Sequence, residues 1–443
     1  MRKYITVKSP LQSHHTVTLP DEPLPVDTIA QKTLRELKEN YRHRLFDLYL
    51  PFWDRGGYDE QRGGFMCYLN DDGTVYVDEK PLWFQARAIY IYSLLYNEFG
   101  QNPRFLGIAQ KTRDFMVRYM KADSGLWYQR VSSSGMVLGD EYDDTTGEWF
   151  YGSIYVAEAL GELFRAAHHE DDLAMMYETL DAALDAYDDP GYSGAWNYGG
   201  YPEDISFTGF RVQAHSMAII GFLTGLLNHH SDERLDNLVA EHVDLVMNTY
   251  YNPELCIANE NLHHDYSRIE GYEDYMSPGH SVETLWMILF EAIRTKDTGL
   301  FIEAANRFRR YLELGWDYGF EGFGDLHYWV FDGPDRTREK LYETKSMWSH
   351  TELLIGLFHI YEYTGEIWAK EWYERVRKYA LQAFDTDYGV WRQAVDRYGI
   401  DKKRKIYSSK RKGNYHYPRY LIHNLLSIDR MIKNGGKTTI FLQ

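Results

Sequence analysis

The sequence predicts an all-α chain whose helices pair and close into an (α/α)6 barrel, with short hairpins in the inter-helix loops. Three observations carry the prediction. About twelve segments place apolar residues three and four apart, the signature of amphipathic helices. Short glycine–aromatic motifs recur between them at a near-constant interval. The last helical segment has apolar positions on more than one side, whereas the terminal pair of an open solenoid needs a polar capping face.

In chain order, Met1–Asp27 is proline-containing and shows no helical periodicity, so it reads as an extended arm. The helical segments follow at Thr28–Leu50, Trp83–Phe99, Pro103–Met120, Trp149–His168, Asp172–Tyr187, Arg211–Leu227, Asp232–Tyr250, His280–Thr295, Gly299–Gly315, Thr344–Thr364, Ile367–Phe384 and Tyr417–Asn434. Strand signals are few and short. Between the helices lie Gly64-Phe65, Gly125-Leu126-Trp127, Gly194-Ala195-Trp196, Gly322-Phe323 and Gly389-Val390-Trp391, with Asn252–Cys256 as a weaker counterpart. The matching positions 65, 127, 196, 256, 323 and 391 are separated by 62, 69, 60, 67 and 68 residues. Such a period marks a repeated supersecondary unit, here a helix, a loop with a hairpin and a second helix. Asp71-Asp72-Gly73, Ser133-Ser134-Gly135 and Asp396–Gly399 suit the hairpin turns. No Pro/Gly/Ser-rich linker divides the repeats, so residues 28–443 form a single catalytic domain behind the arm of residues 1–27. An irregular all-α bundle is the alternative.

Composition bounds the function. The 443 residues carry 48 basic and 66 acidic side chains, a formal charge of 48 − 66 = −18. Such a surface repels phosphate backbones, which argues against nucleic acid as a partner. The charge favours a soluble monomer and is compatible with a homodimer. Cys67 and Cys256 are the only cysteines, which excludes a disulfide framework and fits a reducing cytoplasm. No secretory h-region precedes Thr28, and the longest apolar stretch, near Ala218–Leu227, is far short of the ~20 residues of a membrane span. A cytoplasmic location without membrane partners is the expectation. The 71 aromatics (12 Trp, 38 Tyr, 21 Phe) include groups suited to stacking on sugars, though most serve the core.

Alternate helices open on polar clusters: Trp83 with Arg87, Arg211 with His215, His280 with Glu283, Trp348 with Glu352, and His416 with Arg419. Each pair is three or four residues apart and shares a helix face. In an (α/α) barrel the inner helices run the same way, so these first turns converge on one end of the funnel. Together they form a pocket for a polar, uncharged, hydroxyl-rich small molecule, a mono- or disaccharide. His350 can instead face the outer helices, and Arg419 can anchor a buried carboxylate. Glu283 is placed to orient the His280 ring. The doublets His168-His169, His229-His230 and His263-His264 lack chelating spacing, so no metal is expected. No phosphate-binding loop, dinucleotide fingerprint or nucleophile elbow occurs, so no cofactor is expected. No motif specifies a nucleotide effector.

At these residues the chain resembles the N-acylglucosamine 2-epimerase family, which includes cellobiose 2-epimerases, mannose 2-epimerases and mannose isomerases. The matching segments are Phe52-Trp53-Asp54, Gly63-Gly64-Phe65, Lys80–Arg87, Pro278-Gly279-His280 with Glu283, Lys345-Ser346-Met347-Trp348 with Glu352, and Tyr415–Arg419. They stand in family order from about residue 45 to 430. Ser346–Ser349 and the Tyr-Pro-Arg after His416 depart from the family's commoner residues and bear on pocket shape. The resemblance implies an (α/α)6 barrel and an isomerase that moves the C2 proton of an open-chain reducing sugar. It implies His280 and His416 as the catalytic acid–base pair and Arg87 as the group that polarises the carbonyl oxygen. His215, Glu283 and Glu352 would open the ring or hold hydroxyls, and Trp83, Trp348 and Trp391 would line the pocket walls.

Elementary chemistry agrees with that pairing. Imidazole has an ordinary pKa near ~6.5, which suits a general base at neutral pH. A guanidinium beside the carbonyl stabilises the enediolate oxyanion. Protonation on the opposite face of C2 gives the epimer, and protonation at C1 gives the ketose. A glycoside hydrolase using Asp54, Glu283 or Glu352, and a sugar-binding protein without activity, are the competing readings.

Overall fold

The computed structural model describes residues 16–143, 149–191, 209–324, 328–331, 341–400 and 410–441. Twelve helices among them alternate between two concentric layers. The first, α1, runs through Leu34–Arg42, a π-helical stretch His43–Tyr49 and Leu50–Asp54. Then come α2 (Leu82–Glu98), α3 (Pro103–Tyr119), α4 (Trp149–Ala167), α5 (Glu170–Tyr187) and α6 (Gln213–Leu227). Next is α7, which joins Glu233–Asp244 to a π-helical Leu245–Thr249. The last five are α8 (Pro278–Thr295), α9 (Thr298–Gly315), α10 (Met347–Thr364), α11 (Ile367–Phe384) and α12 (His416–Lys433).

The even-numbered helices form the inner ring. Each packs on the next, α2 on α4, α4 on α6, α6 on α8, α8 on α10 and α10 on α12, and α12 returns to α2. Asn414 closes that seam by donating to the Phe84 carbonyl at 2.7 Å. Each outer helix leans on the inner helix of its pair, and α1 pairs with α12. This is the closed (α/α)6 barrel that the repeat predicts.

Side-chain patterning explains the sorting. Inner helices have neighbours on every side and are apolar nearly all round: in α10 every residue from Met347 to Thr364 except Trp348 is buried. Outer helices bury one stripe. In α3 that stripe is Phe105, Ile108, Ala109, Thr112, Phe115 and Met116, at three- and four-residue steps.

The glycine–aromatic motifs close the loops below the inner-helix starts. Gly64, Gly125, Gly322 and Gly389 all have φ between +84° and +104°, a region costly for other residues, although Cys256 occupies the corresponding place in its own unit at φ +55°. The chain then turns back onto the outer helix. Met66 donates to Gly57, Tyr128 to Met120, Asn259 to Tyr250, Gly324 to Gly315 and Arg392 to Phe384, all at 2.7–2.9 Å. The three turns read from the sequence are hairpin tips, with Thr74, Met136 and Ile400 closing on Asn70, Ser132 and Asp396. The Gly194–Trp196 motif lies outside the described residues.

Two boundaries differ from the periodicity. The first helix begins at Leu34, not Thr28, because Ala30 and Gln31 take positive φ in a turn closed by Ile29 and Lys32, and Thr33 with Glu36 then forms a capping box. It also runs on to Asp54 through Pro51. Proline crowds the carbonyl four residues earlier, and the wider π-helical turn preceding it relieves that contact. Residues 16–27 carry no helix; Val17 and Val26 are buried, and Val26 and Leu24 bond to Gly436 and Thr438 near the other terminus.

Candidate active site

The inner helices bring their first turns to one end of the barrel, where their side chains touch in sequence. His280 (α8) and His416 (α12) both lie against the Trp348 indole (α10), with ring centroids 5.4 and 5.7 Å away. Trp83 (α2) meets Tyr151 of α4 at 5.6 Å, and Tyr151 meets His215 (α6) at 5.1 Å. Local sequence sets these positions. Ser277 caps α8 by accepting from the His280 amide, and Pro278 occupies its first turn. Gly279 is required by Trp348: a Cβ there would lie 2.4 Å from the indole. Trp83 and Trp348 each follow a buried lysine three residues earlier. Lys80 binds Asp59 at 2.8 Å and Lys345 binds Asp317 at 3.1 Å, so each tryptophan's strand is pinned to the preceding loop.

Both histidines are held by a buried carboxylate. The His280 Nδ1 donates to Glu260 Oε1 across 2.7 Å, and the His416 Nδ1 donates to Glu352 Oε1 across 2.8 Å. Each contact fixes the ring and, in the neutral imidazole, places the proton on Nδ1. Burial pushes the His416 pKa well below the ordinary value, with Glu283 acting against it and Arg87 and Arg419 reinforcing it. The ring is thus a neutral base at neutral pH. Glu283 does not orient His280, contrary to the expectation from spacing. It points instead to Arg419.

Arg419 is the hub of the site floor. Its Nη2 binds Glu283 closely and lies 2.8 Å from Glu352 Oε2, and its Nη1 donates to the Tyr415 hydroxyl at 2.9 Å. Trp286 Nε1 donates to Glu352 Oε2 at 2.8 Å. Burial raises the Glu352 carboxyl, and Arg419 and Trp286 pull it back. Ligand atoms of Glu283, Glu352 and His416 come within 4.8 Å of one another, a grouping of the kind that holds metals. Here the guanidinium already binds both carboxylates, and the His416 nitrogen nearest them donates to Glu352, so the donor set is committed without an ion.

Arg87 is held by aromatic rings. Its guanidinium lies 4.9, 4.3 and 4.6 Å from the Trp83, Tyr155 and Tyr415 rings, and no carboxylate pairs with it among the described residues. Cation–π contact and a hydrogen bond to the Tyr155 hydroxyl hold the charge in place. His215 is buried among Phe150, Tyr151 and Tyr187.

Not every candidate joins this group. Trp391 is buried against Tyr417, with centroids 4.6 Å apart, and its indole donates to Asp385. It seals the loop between α11 and α12. His350 turns away: Nδ1 donates to the Ser346 carbonyl at 2.6 Å and Nε2 accepts from the Phe323 amide at 2.9 Å, while burial lowers its pKa to about 3. Asp54 lies half-exposed in an ion pair with Arg104. His230 bonds Tyr177, and His264 bonds the Gly209 carbonyl.

With this geometry in hand, the comparisons are specific. The family model for N-acylglucosamine 2-epimerase (GlcNAc 2-epimerase) matches residues 63–418, which takes in four of the polar helix starts whole and His416 of the fifth. The chain belongs to the N-acylglucosamine 2-epimerase family. It is an isomerase of that family, whose members act on sugars. It is similar to N-acylglucosamine 2-epimerase of Bos taurus, with 26% identity over 419 residues, 90% of this chain and 94% of that protein. The solved cellobiose 2-epimerase of Spirochaeta thermophila DSM 6192 superposes with a TM-score of 0.73 at 18% identity, covering 90% of this chain and 98% of the other. A D-mannose isomerase structure gives 0.71 at 15% identity with the same coverage. At those identities the structures speak for the fold alone.

In this N-acylglucosamine 2-epimerase family member, periodicity and motif spacing missed two groups. Glu260 lies between short strands, outside any helix start, and is set by backbone bonds to Gln213 and Tyr275. Glu158 sits mid-helix in α4. It is the one charged residue in the continuously buried run Trp149–Gly161, a signal that was readable. No helix among the described residues is long and apolar enough to cross a membrane.

Proposed function

We propose that this chain interconverts the C2 epimers of a reducing sugar, drawn from the N-acylglucosamine/N-acylmannosamine, mannose/glucose or cello-type disaccharide classes, by a two-histidine enediolate mechanism. The observation that carries the reading is the pair of carboxylate-held imidazoles, His280–Glu260 and His416–Glu352, both against the Trp348 indole. One imidazole takes the C2 proton through Nε2, and the other delivers a proton to the opposite face of C2. Such a pair supplies roughly 10²–10⁴-fold in rate per transfer. Arg87 donates to the carbonyl oxygen as negative charge develops there. Trp83 and Trp348 cover the C–H faces of the sugar, and Glu283 with His215 receives its hydroxyls.

The hydrolase alternative finds little support in the same residues. Glu283 and Glu352 are both buried and both bound to Arg419, and Asp54 is paired with Arg104 at the surface, so none of the three stands as one of two carboxyls flanking a glycosidic bond. The test is incubation with N-acetylmannosamine, mannose, glucose and cellobiose in D₂O. Deuterium at C2 with both epimers present supports the reading, and a ketose product moves the second protonation to C1. Full activity in His280→Ala or His416→Ala removes that residue from the mechanism.

A further inference from the structure

Resting on that reading, we propose that Glu158 is a positioning residue: by holding the Tyr415 hydroxyl it fixes Arg419 between Glu283 and Glu352, and of these three carboxyl groups it is the one that carries a proton. Tyr415 donates to the Glu158 carboxyl oxygens at 3.0 and 3.2 Å while accepting from Arg419 Nη1 at 2.9 Å. The Tyr415 ring also lies against Arg87, 4.6 Å from its guanidinium carbon. One carboxyl group thus steadies both cations, one directly behind His416 and its Glu352 partner, the other at the carbonyl-polarising position.

Charge balance singles out Glu158. The cluster holds three carboxyl groups, Glu158, Glu283 and Glu352, against two guanidiniums, Arg87 and Arg419. Glu283 and Glu352 bind Arg419 directly, whereas Glu158 reaches it only through a phenol. The excess proton therefore belongs on Glu158. The groups around it agree. Arg87 and Tyr90 face it from α2, Tyr415 and Arg419 from α12, and Tyr155 and Glu162 lie along α4 itself, while α6 presents Phe222 and Leu226 to that helix at Gly161. Burial raises its carboxyl to about 7, with Arg419 and Tyr415 opposing. Below that pH it is neutral. Above it the added charge sits behind Arg87 and Arg419 and opposes the negative charge that the enediolate develops, so kcat falls on the alkaline side.

The test compares the full-length wild type with Glu158→Gln, Glu158→Leu and Tyr415→Phe. Glutamine keeps an acceptor for Tyr415 and cannot ionise. Burial raises Glu162 to about 7 as well, so in infrared difference spectra between pH 6 and 8 the wild type loses more buried carboxylic-acid intensity than Glu158→Gln, which keeps only the Glu162 share. The alkaline fall in kcat is absent from Glu158→Gln, with KM within about 2-fold of wild type. Glu158→Leu loses kcat by about 10–100-fold with little change in KM, because Tyr415 loses its buried acceptor. If the leucine variant does not fold, Tyr415→Phe shows the same loss, and adding Glu158→Gln to it costs nothing further. Equal loss of carboxylic-acid intensity in wild type and Glu158→Gln, or kcat in Glu158→Leu or Tyr415→Phe within about 3-fold of wild type, overturns the proposal. Absence of C2 exchange by the wild type with every sugar instead defeats the epimerase reading, and the infrared band still decides where the proton sits.

Discussion

Replacing Arg419 with methionine tests whether the floor of the pocket is held by one guanidinium. Methionine preserves much of the side chain's length and removes its charge. The structure gives the consequence: Glu283 and Glu352, 2% and 0% exposed, lose their shared cation, and Tyr415 loses a donor. Removing one partner of a buried ion pair costs about 3–5 kcal/mol. Unfolding entropy near ~2.1 cal/mol/K per residue gives about 0.9 kcal/mol/K for a chain of this size, so Tm should fall by about 3–5 °C. The loss should depend on pH. Without Arg419 the two carboxyls have folded pKa values raised above the unfolded value, so their penalty is full at pH 8 and fades as pH drops through the raised values. Calorimetry of both proteins at pH 8 and pH 5 should show the larger Tm gap at pH 8. A gap under about 1 °C, or one that does not shrink at pH 5, refutes the argument that Arg419 neutralises this pair.

Three further outcomes follow from contacts around the pocket. Glu260→Gln should cut C2 deuterium exchange by about 10–100-fold with KM little changed, since His280 loses its anionic partner; the kcat–KM split measured by NMR checks it. Gly279→Ala places a methyl group 2.4 Å from Trp348, which should raise KM for every sugar accepted and lower stability by about 1–3 kcal/mol, read from steady-state kinetics and denaturant midpoints. Trp391→Phe should lower stability and leave KM unchanged, whereas Trp348→Ala should raise KM; equal KM effects in the two would return Trp391 to the pocket wall.

The fold was legible because its signals are local and repeated. Apolar spacing marks each helix, and the glycine–aromatic motifs mark each loop because four of those glycines stand at φ values that side chains resist. The gathering of His280, His416 and Trp348 was legible for a related reason: inner helices share a direction, so their first turns meet at one end, although His350 shows that a polar residue there can also turn away. Trp391 carries the same residue type and belongs to the core, because its place is set by Tyr417 and Asp385 from other elements. Glu260 was illegible since its partner, His280, is 20 residues away across a turn that no periodicity describes.

Buried acids on the inner ring show how much further a sequence reading can go. An inner helix is enclosed on all sides, so each carboxylate on it needs a donor from its own or a neighbouring helix. In α8, Glu283 in the second turn meets Arg419, and Glu291 two turns later meets Arg294. In α10, Glu352 in the second turn meets Arg419, and Glu362 in the last turn meets Arg430. The acids near the helix starts share Arg419, and Glu352 also holds His416; the acids near the helix ends bind other arginines, of which Arg294 reaches Asp236 on the outer layer as well. Position along the helix, which sequence does show, therefore separates the two kinds. Glu158, midway along α4, lies between them and takes a phenol instead of an arginine. That placement is why it, among these acids, has the weakest hold on its charge and the best reason to carry a proton.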